Sequence, residues 1–103
     1  MAKSLKELQA EIVAARSRWG FADEDVERLL VLFASEAGEM IGAVSKEHLY
    51  GRPHVPDDDK SSVRHEMADI LVYMFALADL LGVDLESALA SKVRLNDSRF
   101  PKK

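Results

Sequence analysis

Two pairs of acidic residues fall on the apolar faces of two long helical patterns, and this limits the chain's folding more than any other feature. From Asp23 to about His48, Leu29, Phe33, Ala37, Met40 and Val44 recur at helical spacing, with Leu32 at the edge of their stripe. At about 100° per residue, Glu36 lies inside that stripe and Glu39 at its border. A later pattern begins near Asp59–Ser62 and reaches Leu81, its stripe formed by Ile70, Met74, Leu77 and Leu81. Here Glu66 lies on the stripe, Asp69 at its border and Tyr73 between the two directions, while Asp79 falls on the far side. An ionised carboxylate buried alone costs on the order of several kcal/mol, so inward acids must be protonated, paired with a cation or bound to a metal. Few basic residues share these stripes. With no cysteine in the chain, oxygen donors of this kind suit a hard cation, Mg²⁺ or Mn²⁺.

The flanking signals are helical throughout. Ser4 and Glu7 form a capping box ahead of Leu5, Leu8, Ile12, Ala15 and Trp19, and Gly20 stops that run. Asp23 is expected to cap the second helix, with Glu24 and Asp25 favourable to its dipole. Leu49–Lys60, with Gly51, Pro53 and Pro56, reads as a loop. Gly82 ends the third helix and Asp84 caps a fourth, expected to finish near Asn96. No strand-like alternation or internal repeat is present, so the class is all-α, a four-helix bundle in one domain spanning 1–103.

Two other metal chemistries fail on spacing. His65-Glu66-Met67-Ala68-Asp69 approaches the zinc motif HExxH but carries an aspartate where the second histidine belongs. A di-iron bundle needs Glu-x-x-His on two helices, and neither Glu36, Glu39 nor Glu66 has a histidine three residues on. His65 therefore reads as a surface residue. At the other end of the chain, Lys92, Asn96 and Arg99 are spaced i, i+4, i+7 and share one face if the fourth helix extends that far. Two cations and an amide suit a polyphosphate, although basic residues at a helix C-terminus also complement its dipole.

Glu36-Ala37-Gly38-Glu39 followed by Glu66-Met67-Ala68-Asp69 resembles the ExxE…ExxD signature of the all-α nucleoside triphosphate pyrophosphohydrolases, the MazG-like proteins and the dCTP pyrophosphatases among them. The likeness extends to Ser35–Met40, to the helix Glu66–Leu81 with Gly82-Val83-Asp84-Leu85 after it, and to Ser91-Lys92, Asn96, Arg99, Phe100 and Pro101, covering most of Trp19–Pro101. The resemblance implies hydrolysis of an NTP or dNTP to the monophosphate and pyrophosphate, in nucleotide-pool house-cleaning. It implies that Glu36, Glu39, Glu66 and Asp69 hold Mg²⁺, with Mn²⁺ as a substitute. Glu39, with Glu36, is the candidate to orient or deprotonate the attacking water. Lys92, Asn96 and Arg99 are then the phosphate contacts, and Tyr73 and Trp19 the aromatic residues at the nucleoside.

The sequence departs from this pattern in two places. Lys46 stands where close relatives of the dCTP enzymes carry a tryptophan, and the acidic run Asp23–Asp25 stands where they carry a histidine. Both bear on base recognition rather than on metal chemistry. Leu29–Phe33 is apolar nearly all round the helix, which implies at least a homodimer and accommodates a homotetramer. The formal charge of −4 argues against a nucleic-acid polymer as partner. With no apolar run long enough for a membrane span and no signal-peptide core in Met1–Leu8, the expected location is the cytoplasm. The alternative from another class is a non-catalytic helical oligomeric interaction module whose acids meet a basic partner.

Overall fold

The chain, seen in a computed structural model that describes residues 2–49 and 62–100, is helical, with no strand among those residues. Four helices follow one another: α1 Leu5–Arg18, α2 Val26–His48, α3 Ser62–Leu80 and α4 Leu85–Arg99. The expected loop over 49–60 lies, apart from Leu49, outside the described residues, as does Pro101. No described helix is long and apolar enough to cross a membrane.

Local chemistry fixes most helix ends. The Ser4 side chain accepts from Glu7 N, and the Glu7 carboxylate accepts from Ser4 N, so the capping box is closed. Gly20 and Gly82 each take the left-handed conformation, φ +89° and +69°, that other residues adopt only at a steric cost. At both, the chain closes a Schellman motif: Phe21 N donates to Arg16 O and Gly20 N to Ser17 O, as Val83 N does to Ala78 O and Gly82 N to Asp79 O. These turns fold Phe21 and Val83 back against the helices they leave. Asp84 caps α4 through Glu86 N. Gln9 ties that corner to α1, donating to Val83 O and accepting from Leu85 N.

Three expectations need correction. Asp25, not Asp23, is the N-cap of α2, its side chain accepting from Arg28 N at 2.8 Å. The residues after Gly20 are used in a turn, Glu24 N donating to Phe21 O, and the helix starts only once that turn is complete. The second correction is that α4 runs to Arg99 rather than Asn96, because Asp97–Arg99 offers no glycine or proline to stop it. The third concerns α3, whose buried residues are Val63 and the unbroken run Phe75–Ala78, while Met74 and Leu81 are exposed. A single stripe assumes one covered face. Helix α3 is covered on two, because it packs against both α1 and α2.

The core sits where the start of α2 meets the end of α3. Leu29, Ala76 and Leu77 are buried together, with Val26, Phe33 and Tyr73 packed against them. Helix α4 packs on α1 and has no buried residue. Leu29 is 1% exposed, the most completely enclosed large side chain. Replacing it with alanine leaves a cavity in a small core, so Leu29→Ala is expected to lower stability by about 2–5 kcal/mol. Urea unfolding checks this through a lower midpoint at unchanged slope.

Candidate active site

Helix α2 brings Glu36 and Glu39, one turn apart, to face Glu66 on α3. One carboxylate oxygen from each of the three lies within 4.8 Å of the others. Glu36 and Glu66 are half-buried and Glu39 exposed, so the cluster opens to solvent on one side. Oε2 of Glu36 and Oε2 of Glu66 are buried with no hydrogen-bond partner. Burial, together with the neighbouring carboxylates of Glu66, Glu39 and Asp69, pushes the Glu36 carboxyl up to about 7. Crowded acids with orphaned oxygens are what a divalent cation relieves, and an all-carboxylate donor set suits Mg²⁺ or Mn²⁺. Asp69 is not one of the three whose oxygens converge. It faces the adjoining cleft with Glu36.

That cleft, about 240 Å³, is lined by Arg16, Trp19, Phe21, Glu36, Asp69 and Tyr73, with Val72. Two of its aromatic residues, Trp19 and Tyr73, are those singled out from the sequence. Burial first, then the charges of Glu36 and Glu24, hold the Tyr73 hydroxyl above its usual pKa, so it stays a neutral donor. Lys92, Asn96 and Arg99 do share α4 over its full length, but none of the three lines the cleft. Lys92 and Arg99 are exposed and Asn96 is half-buried.

Sequence reading missed Arg16. Its guanidinium lies 5.5 Å from the Phe21 ring centre and 5.6 Å from that of Tyr73, and Nη2 donates to Glu24 Oε1 at 2.9 Å. Both side chains of this ion pair are 9% exposed. The only signal in the chain was an arginine at the apolar border of α1, followed eight residues later by an acid. That signal becomes legible once Gly20 is known to reverse the chain between them.

The raised Glu36 carboxyl sets a pH dependence. Between about pH 4.5, the value in the unfolded chain, and about 7, the folded protein keeps a proton that the unfolded chain has lost. Its contribution to stability is therefore lost as pH rises through that window. Metal-free protein is expected to melt at a lower temperature at pH 8 than at pH 5, and Glu36→Gln to show a smaller difference. Added Mg²⁺ is expected to raise the wild-type melting temperature at pH 8 by mass action. Melting curves of both proteins, with and without Mg²⁺, check both statements.

Comparison with known proteins identifies the family. Mouse dCTP pyrophosphatase 1 is 30% identical over 101 residues, covering 96% of this chain and 58% of the mouse protein. The human protein of that name is 28% identical over 102 residues at the same coverage. The chain thus spans a little over half the length of these relatives. Residues 24–102 match the MazG nucleotide pyrophosphohydrolase domain, a stretch that holds all four acids and the basic face of α4. The chain belongs to the MazG nucleotide pyrophosphohydrolase family.

Proposed function

We propose that the protein hydrolyses nucleoside triphosphates, NTP or dNTP, to the monophosphate and pyrophosphate in a Mg²⁺-dependent reaction that clears nucleotides from the cytoplasmic pool. The observation that carries this reading is the convergence of three carboxylates within 4.8 Å, two of them with buried unpartnered oxygens, beside a cleft walled by aromatic rings and one arginine. Membership in a pyrophosphohydrolase family supports the same reaction.

Glu36, Glu39, Glu66 and Asp69 would hold the metal. Bound there, Mg²⁺ (or Mn²⁺) would neutralise phosphate charge and make a nearby water more acidic. Glu39 is the most solvent-accessible carboxylate of the converging three and is our choice to orient that water and take its proton, with Glu36 as the second candidate. The water oxygen adds to phosphorus as the phosphoanhydride bond breaks, and the pyrophosphate leaves with the electron pair. Trp19 and Tyr73 flank the nucleoside, and Lys92, Asn96 and Arg99 meet phosphate oxygens.

The working unit in this reading is the domain 1–103 assembled as a homodimer or homotetramer. Leu30 and Val31 project from α2 into solvent, Val31 at 70% exposure, and Leu89, Val93 and Leu95 do so from α4. A second copy covering α2 and α3 would bury such residues and supply cations that a single chain does not bring to its own cleft.

With Mg²⁺ and a dNTP, the expected products are the monophosphate and pyrophosphate. Product analysis showing only diphosphate and orthophosphate would overturn the reading. Glu66→Ala is expected to abolish turnover while leaving the metal-free protein as stable as the wild type or more so, since it removes an inward like charge. A fall in its melting temperature would instead make Glu66 a structural ion-pair partner. Light scattering is expected to give a mass of at least twice the 11.5 kDa of one chain. The monomer mass at micromolar concentration would exclude the assembly.

A further inference from the structure

A second cleft, about 220 Å³, is lined by both members of the Arg16–Glu24 pair. Arg16 and Phe21 line both clefts, so the two adjoin at these residues. Phe21, Leu29 and Leu80 give the second cleft apolar walls. Its charged groups are Arg16, Glu24 and Asp79.

Glu24 is only half used. Oε1 takes the hydrogen bond from Arg16, whereas Oε2 is buried with no hydrogen-bond partner, on a side chain 9% exposed. Arg28 Nε stands 3.6 Å from Oε2, and the Arg28 side chain is 68% exposed. An acceptor left unpaired at this depth is unfavourable unless something donates to it. The balance of the cleft is one-sided as well. It presents two carboxylates and one guanidinium, and the guanidinium already spends one N–H on Glu24 and its face on Phe21 and Tyr73. A ligand that enters is favoured when it brings hydrogen-bond donors.

We propose that Glu24 is a base-reading residue, whose Oε2 accepts a hydrogen bond from the exocyclic amino group of a cytosine or adenine nucleotide. This rests on the nucleotide reading above and names the substrate edge that the site selects. With the triphosphate toward Glu36 and Asp69, the base passes Phe21 and Arg16 and turns its edge to Glu24. An amino group offers two N–H donors there. A 4-oxo or 6-oxo group at the same place sets an acceptor against a carboxylate, and a site built to bond one edge strongly rejects the other.

Matched nucleotide pairs test this, because dCTP and dUTP, like dATP and dITP, differ only in an amino or oxo group and in the proton on the ring nitrogen beside it. The wild type is expected to favour the amino member of each pair at least tenfold in kcat/KM. In Glu24→Gln the amide oxygen keeps the Arg16 bond and the amide nitrogen takes the place of Oε2, so the cleft gains a donor and both ratios fall at least tenfold. Equal loss on all four nucleotides, or unchanged ratios in a variant that still turns over, would mean that Glu24 serves the fold alone. Wild-type ratios within about twofold overturn the proposal without any variant. Arg28→Ala is expected to keep the discrimination; losing it would show that Oε2 belongs to Arg28. Calorimetric binding of dCMP against dUMP to the same proteins separates the two readings. An amino preference in binding without pyrophosphate release upholds base reading and refutes hydrolysis, and release without a preference does the reverse.

Discussion

The structure depends on how like charges are tolerated between α2 and α3. Leu29 near the start of α2 meets Ala76 and Leu77 near the end of α3, and Glu36 and Glu39 further along α2 meet Glu66 near the start of α3. The two helices are therefore antiparallel and divide their shared interface by function. The apolar end supplies burial on the order of 1.5–3 kcal/mol for each large side chain, against which crowded carboxylates at the other end can be held. Protonation of Glu36 near neutrality shows how the acids are accommodated without a cation. In the proposed reaction a divalent ion would compete with that proton, so metal affinity at this interface would rise with pH.

A second buried charge system sits across the cleft. Arg16 and Glu24 come from the two sides of the Gly20 turn, and their ion pair closes that turn against Tyr73 of α3. Buried ion pairs contribute little net stability, because desolvation offsets most of the attraction. What this pair does contribute is position. It holds a guanidinium face against two aromatic rings within a cleft whose opposite wall is acidic. In the proposed reaction a triphosphate entering that cleft would bring further negative charge, which a metal at the acids would have to offset, since Arg16 is already paired with Glu24.

Features set within a few residues were legible in the sequence. Ser4 with Glu7, Gly20, Gly82 and Asp84 end or begin helices through hydrogen bonds to their own neighbours, so local pattern suffices. The inward direction of Glu36 and Glu66 follows from helical period alone, and both carry buried oxygens. Features set by remote packing were hidden. Phe75–Ala78 is buried all round because α1 and α2 lie on different sides of α3, which no wheel of α3 can reveal. Arg16 is enclosed by Phe21 and Tyr73, five and fifty-seven residues away in the chain. Asp25 rather than Asp23 caps α2 because the turn that buries Glu24 uses the residues before it.

Helix α4 carries the remaining argument. Leu89, Val93, Asn96 and Phe100 recur at i, i+4, i+7 and i+11, so an apolar stripe runs beside the stripe of Lys92, Asn96 and Arg99, with Asn96 common to both. In one chain the apolar stripe is exposed: Leu89, Val93 and Phe100 are each more than half accessible. Such a stripe gains free energy when covered, at about 25 cal/mol per Å² of apolar surface removed from water. The adjacent basic stripe gains only where it meets anionic charge, which in the proposed reaction a triphosphate beside the carboxylate cluster would supply. In the proposed assembly the two gains reinforce one another. Covering Leu89 and Val93 with a second copy carries Lys92 and Arg99 along the same face, so burial of apolar surface would position the phosphate contacts, and substrate would in turn favour the assembled form.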